Sequence, residues 1–229
     1  METKSRKDLW KIGAKNTAFI VIDIYWGDKY KITPIILRNA DDPEAMFRKI
    51  NEDMVPKINR LAAACRKLGM PVIWICSGRR PDLSDAGLIV DMPDHAGNLA
   101  FDNKQLSDKQ SMIGQLHPDL NVMPQDFIVR KRRYSAFIHG SSELELLLRG
   151  LGVDSFIAAG DATDVCVGTT VMDAMMLNFK VFLLSDLTIT FSEERQKAAL
   201  NLLDRHFAKV MSFNEVMKEL SKLAKKTKS

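Results

Sequence analysis

Short apolar runs that each stop at a polar residue, with segments of helical periodicity between them, constrain this chain more than any other feature. Residues 17–23, TAFIVID, are the cleanest case, a near-continuous apolar run closing on Asp23. Such a run suits a strand buried on both faces of a parallel sheet, because a solvated face would demand alternation. Comparable runs at Pro71–Cys76, Asp126–Arg130, Phe156–Ala159 and Phe179–Leu184 predict four more strands, and Lys209–Phe213 predicts a sixth. Met46, Ile50, Met54, Ile58, Leu61, Cys65 and Leu68 recur at three- and four-residue steps, forming one face of a helix over Pro43–Leu68 that stops at Gly69. Pro56 inside that pattern predicts a kink or break near Val55. Ser142-Glu-Leu-Glu145 reads as a capping box for a helix reaching Arg149. Ser192 opens another helix, running to His206, and Asn214–Leu223 supplies a closing one. This alternation predicts an α/β fold: a doubly wound, mostly parallel six-stranded sheet with helices on both faces, in one domain over residues 1–229.

Composition removes several function classes. With 46% hydrophobic and 27% charged residues the chain has the balance of a soluble globular protein. The net charge of +4 is modest and partly gathered in the tail Lys222–Ser229, which reads as a solvated terminus instead of a nucleic-acid patch. No apolar run approaches the ~20 residues of a membrane span. The N-terminal METKSRKDLWKIG lacks the apolar core of a secretory signal. Cys65, Cys76 and Cys166 are an odd number with no paired spacing, which argues against a disulfide scaffold and for a reducing, cytoplasmic setting.

Chemistry concentrates in Asp154–Leu177. A strand-length apolar run ends at Gly160, turns through Asp161-Ala162-Thr163, and enters a helical segment near Asp164. Cys166 therefore falls in the first turn of a helix, just past the carboxyl end of a strand. Free backbone N–H groups there favour a thiolate and lower the cysteine pKa. A nucleophile and a small buried apolar residue are the two readings of Cys166 at this point. Asp23 and Lys131 also stand at strand ends, and in open α/β sheets ligands bind outside the carboxyl ends of strands. Cys65 belongs to a buried helical stripe, and Cys76 reads as a packing residue. The aromatic, aperiodic Tyr25–Tyr30 suits a pocket wall. Residues 77–126 are the least regular part of the chain and read as a cap over the cleft, with Arg79, Arg80, Asp82 and His95 its polar groups best able to reach a substrate. Gly150-Leu-Gly152 precedes a strand instead of following one, so it is no dinucleotide fingerprint.

Three ordered motifs carry a resemblance: the strand ending in Asp23, the run Lys131-Arg-Arg-Tyr-Ser-Ala-Phe137, and Gly160-Asp-Ala-Thr-Asp-Val-Cys-Val167 followed by Thr170-Val-Met-Asp-Ala174. Over residues 17 to 213 the chain resembles the isochorismatase-like cysteine hydrolases, and within them the biuret and ureide amidohydrolases. The resemblance implies a catalytic triad of Cys166, Asp23 and Lys131, acting on a C–N bond of a small amide, ureide or carbamoyl compound through a thioester. It implies an oxyanion hole made by the backbone N–H groups of Ala162 and Cys166, with a cis peptide between Asp161 and Ala162. Tyr25, Trp26, Arg79 and Phe137 become the expected substrate contacts, and a homo-oligomer, dimer or tetramer, the expected assembly. The family's nicotinamidases bind a divalent metal through an Asp-x-His pair and a further histidine. Here His95, His117, His139 and His206 are widely spaced, so no metal and no other cofactor is expected. Tyr25-Trp26-Gly27-Asp28 replaces the Gln-Asn-Asp-Phe run of many members, which alters the pocket wall. The rival readings are an isochorismatase-type vinyl ether hydrolase, which does not rely on a cysteine, and a non-catalytic binding protein on the same fold.

Overall fold

The structure is a computed structural model that describes residues 10–24, 40–80, 84–91 and 116–226. Its strands are β1 (Thr17–Ile22), β2 (Val72–Ser77), β3 (Phe127–Lys131), β4 (Ser155–Asp161), β5 (Lys180–Ile189) and β6 (Lys209–Met211). They form one six-stranded sheet in the order β3-β2-β1-β4-β5-β6, and every pairing is parallel. The expectation of a doubly wound α/β fold therefore holds, with a sheet that is wholly parallel.

Helices α1 (Pro43–Arg48), α2 (Val55–Lys67), α3 (Leu144–Gly150), α4 (Cys166–Met176), α5 (Glu193–His206) and α6 (Phe213–Lys226) cover the two faces. On one face Ile58, Leu61 and Cys65 of α2 and Val216 and Leu220 of α6 pack on Phe19, Trp74 and Phe182. On the other, Leu148 of α3, Val171 of α4 and Leu203 of α5 pack on Ile20, Ile75 and Phe156. Burial on both sides is why β1 reads as an unbroken apolar run: all six of its residues are buried.

Pro56 does not break its helix. Lys49–Met54 widens into a π-helical segment in which the Val55 N–H donates to the Ile50 carbonyl, five residues back, and the chain runs on into α2. A widened turn accommodates a residue that has no N–H to give and whose ring crowds the preceding turn. The capping box lies elsewhere than expected. Ser142 donates its hydroxyl to the Ala136 carbonyl and accepts from Leu144 N–H, while Glu145 pairs with Arg149. The reciprocal box forms at Ser212 and Glu215, whose side chains each accept from the other's backbone N–H, so α6 starts at Phe213. β5 extends five residues past Leu184, because its register with β4 jumps from Ala158↔Leu183 to Gly160↔Thr188. That irregularity absorbs Ser185-Asp186, where apolar patterning lapses and strand signals stop.

The order 3-2-1-4-5-6 reverses direction between β1 and β4, and the two strands open a crevice at their carboxyl ends. A side chain on Gly160 would obstruct that junction: an added Cβ would lie 2.0 Å from the Ile22 carbonyl oxygen, and its φ of +139° is one L side chains rarely adopt. No helix among the described residues is long and apolar enough to cross a membrane.

Candidate active site

Asp23 follows β1 directly and has a φ of +53°, a left-handed conformation uncommon for a residue with a Cβ. Its N–H is held by the Ile75 carbonyl of β2. Lys131 ends β3, and Cys166 is the first residue of α4. Three separate crossovers thus deliver three side chains to one crevice. Lys131 Nζ lies 2.7 Å from Asp23 Oδ2, donates to Cys166 Sγ at 3.2 Å, and donates to the Arg133 carbonyl at 3.2 Å. An ammonium has three protons, and each has an acceptor here.

The electrostatics follow from burial. The side chains of Lys131 and Asp23 are 1% and 3% exposed. Burial works against the ammonium, but the negative charge of Asp23 and the bonds to Asp23 and Cys166 outweigh it and hold Lys131 above its ordinary pKa. For Cys166 the balance goes the other way. Burial pushes its thiol up to about 12, Lys131 pulls it down, and Asp23 pushes it up again. The helix N-terminus was expected to lower this pKa. Desolvation is the largest influence, and Asp23, to which the side chain hydrogen-bonds, adds to it, so the surroundings favour the thiol. Cys166 nonetheless keeps partial solvent access, unlike the buried Cys65 and Cys76.

The loop between β4 and α4 is braced on every side. The peptide bond Asp161–Ala162 is cis. Thr163 N–H donates to the Ile189 carbonyl, and Val165 and Val167 both donate to Ala162 O. From α5, Gln196 accepts the Thr163 hydroxyl at 2.7 Å and Arg195 grips Asp164 at 2.6 Å; Asp164 also accepts from Thr190. Gly168 lets α4 sit against this loop, since an added Cβ would lie 2.7 Å from the Thr163 carbonyl. Thr170 links the loop to the lysine run, donating to Cys166 O and accepting from Ala136 N–H. The sequence placed Thr163 and Thr170 in motifs without giving them a role, and nothing in it flagged Arg195 or Gln196. Their roles are pairwise contacts between distant segments, which leave no local pattern.

The expected substrate contacts divide. Phe137 is buried with its ring against Phe156 and Phe179, centroids 6.0 and 5.3 Å away, in a cluster that Cys166 also packs against. An aromatic next to a polar run is ambiguous in sequence, and here the turn after Ser135 points it inward. Arg79 is half-buried after β2, and its Nε has no hydrogen-bond partner among the described residues. Tyr25, Trp26, Asp82 and His95 lie outside the described residues. His117 is buried and braces the chain, its Nε2 bonding Asn51 Oδ1 while Nδ1 accepts from Asp119 N–H. Among the described residues no group of three His, Cys, Asp or Glu side chains could hold a metal ion.

A wholly parallel 3-2-1-4-5-6 sheet with cysteine, aspartate and lysine at the β1/β4 crevice defines an isochorismatase-like α/β protein. It superposes on the crystal structure of a cysteine hydrolase from Pseudomonas syringae pv. phaseolicola 1448A with a TM-score of 0.73 at 26% identity, covering 93% of this chain and 96% of that one. Residues 45–215 match the Isochorismatase domain family, and the chain belongs to it as an isochorismatase-family hydrolase. It is 31% identical over 170 residues to the ureidoacrylate amidohydrolase RutB of Pseudomonas syringae pv. syringae (strain B728a), covering 71% of this chain and 69% of the relative. N-carbamoylsarcosine amidase from Thermoplasma acidophilum shares the fold at 20% identity, with a TM-score of 0.62 over 86% of this chain and 96% of that one.

Proposed function

We propose that this protein is a cysteine-dependent amidohydrolase that cleaves a C–N bond of a small amide, ureide or carbamoyl compound through a thioester. The observation that carries this reading is the buried Lys131 ammonium, 2.7 Å from Asp23 Oδ2 and 3.2 Å from Cys166 Sγ. Cys166 Sγ attacks the substrate carbonyl carbon, and its proton passes to Asp23 as the S–C bond forms. Asp23 is the competent base because the thiol already hydrogen-bonds to it. Lys131 fixes the orientation of the carboxylate and offsets the negative charge moving through the pair.

The oxyanion formed at the carbonyl is faced by the backbone N–H groups of Ala162 and Cys166, a pair of donors each worth ~3 kcal/mol in such sites. Collapse breaks the C–N bond, and Asp23 returns its proton to the departing nitrogen. Water, deprotonated by Asp23, then cleaves the thioester and restores the thiol. The names of the relatives support this reading, ureidoacrylate amidohydrolase and N-carbamoylsarcosine amidase among them.

The test is a panel of small amides, ureides and carbamoyl amino acids, scored by ammonia release with wild type and Cys166→Ala. A loss of at least about 1,000-fold in the variant, with unchanged thermal unfolding, is expected. Activity that survives Cys166→Ala would refute the thioester route, and vinyl ether cleavage is the chemistry that would survive it.

A further inference from the structure

Two buried side-chain polar atoms among the described residues have no hydrogen-bond partner, Arg79 Nε and Asp161 Oδ1. Asp161 is the more informative, because it is 3% exposed and ends the central strand β4. It directly precedes Ala162, and the residue before it, Gly160, is in register with Ile22, the last residue before Asp23. Its two acidic neighbours are both occupied, Asp23 by Lys131 and Asp164 by Arg195 and Thr190. The mechanism above gives Asp161 no task. Folding gives it none either, since β4 is otherwise apolar from Phe156 to Ala159 and a buried unsatisfied carboxyl destabilises the native state. A polar group retained against stability, beside a reaction centre, points to function.

We propose that Asp161 is a specificity-determining residue of this cleft, its unpaired carboxyl taking the planar C=O/N–H edge of an amide or ureide. This rests on the amidohydrolase reading and adds what that reading leaves open, the group that recognises the substrate. Burial, then the charges of Asp23 and Asp164, raise the Asp161 pKa well above the usual carboxylate range. These surroundings favour the protonated acid, which has one O–H donor beside one acceptor. That is the complement of an amide edge, which offers C=O and N–H side by side. The same burial and the charges of Asp23 and Asp164 also disfavour a carboxylate in the same place, so the matching part of the substrate is uncharged.

The experiment compares Asp161→Val and Asp161→Asn with wild type, using biuret and N-carbamoylglycine as probes. Asp161→Val is expected to unfold at an equal or higher temperature while raising KM at least about tenfold, with kcat much less affected. Asp161→Asn, which keeps one donor and one acceptor, is expected to recover most of that KM. An unchanged KM in Asp161→Val overturns the proposal, as does a fall in unfolding temperature shared by both variants, which marks a structural residue. Calorimetric binding of the two probes to Cys166→Ala, with and without Asp161→Val, separates this proposal from the amidohydrolase reading. Binding that Asp161→Val abolishes upholds the recognition role even if no probe is hydrolysed. Absence of binding by either probe when Asp161 is present overturns it.

Discussion

Lys131→Met is the perturbation that probes the site most directly. Methionine fills a comparable volume but removes the cation, and with it the three bonds to Asp23, Cys166 and the Arg133 carbonyl. The Asp23 side chain is 3% exposed, so a carboxylate is left desolvated beside a thiol without its ammonium. Removing one partner of a buried ion pair costs about 3–5 kcal/mol. For a chain of this size each kcal/mol lowers Tm by about 2–4 °C, so a fall of about 12 °C is expected by calorimetry. Ammonia release is expected to fall by at least about 100-fold, since a mispositioned base forfeits most of its contribution. Asp23→Asn added to Lys131→Met neutralises the second charge. The double variant is expected to regain about 2 kcal/mol relative to the sum of the singles, without regaining activity. A Lys131→Met protein that unfolds within about 3 °C of wild type, or strictly additive singles, would refute the account of a charge-coupled pair.

Two further outcomes follow from the framework around the site. Gly160→Ala would place a methyl group 2.0 Å from the Ile22 carbonyl oxygen, so a destabilisation of about 4 kcal/mol or more is expected, read as lost soluble yield or a collapsed Tm. A variant of near wild-type stability would mean that β4 does not approach β1 as described. Asp126 accepts from Arg66, Trp74 and Met123, and although burial raises its pKa, these bonds together hold it below the ordinary value of 3.8. A depressed folded pKa gives stability that is present above the unfolded value and lost as pH falls through the folded one. Asp126→Asn is therefore expected to lose about 1–3 kcal/mol at neutral pH and to show a flatter acid limb below pH 4, measured by denaturant unfolding across pH. Parallel acid limbs for variant and wild type would contradict this.

Much of the architecture is legible in the residues because it rests on local physics. Burial on both faces writes each central strand as an apolar run, amphipathic spacing writes α2, and the polar residues closing those runs mark the crevice. Asp23, Lys131 and Cys166 were readable as strand-end residues for that reason, and the ordered motifs assigned them a common family. What the residues could not convey depends on contacts between distant segments. Pro56 signals a break only until a π-helical widening absorbs it. The packing of Phe137 on Phe156 and Phe179 joins residues 19 and 42 positions apart and has no local pattern.

The state of the nucleophile is the sharpest division. Sequence position alone leaves Cys166 as either a nucleophile favoured as thiolate by a helix N-terminus or a small buried apolar residue. Only the assembled crevice reveals that Lys131 pairs with Asp23 and that burial raises the Cys166 thiol pKa. The unpaired carboxyl of Asp161 likewise has no signature in its motif, since a missing hydrogen bond is a property of everything packed around it. Sequence determined which strands are central and which residues end them, because burial and periodicity act along the chain. Tertiary structure decided their charge states and partners, because solvation and Coulomb interactions act through space.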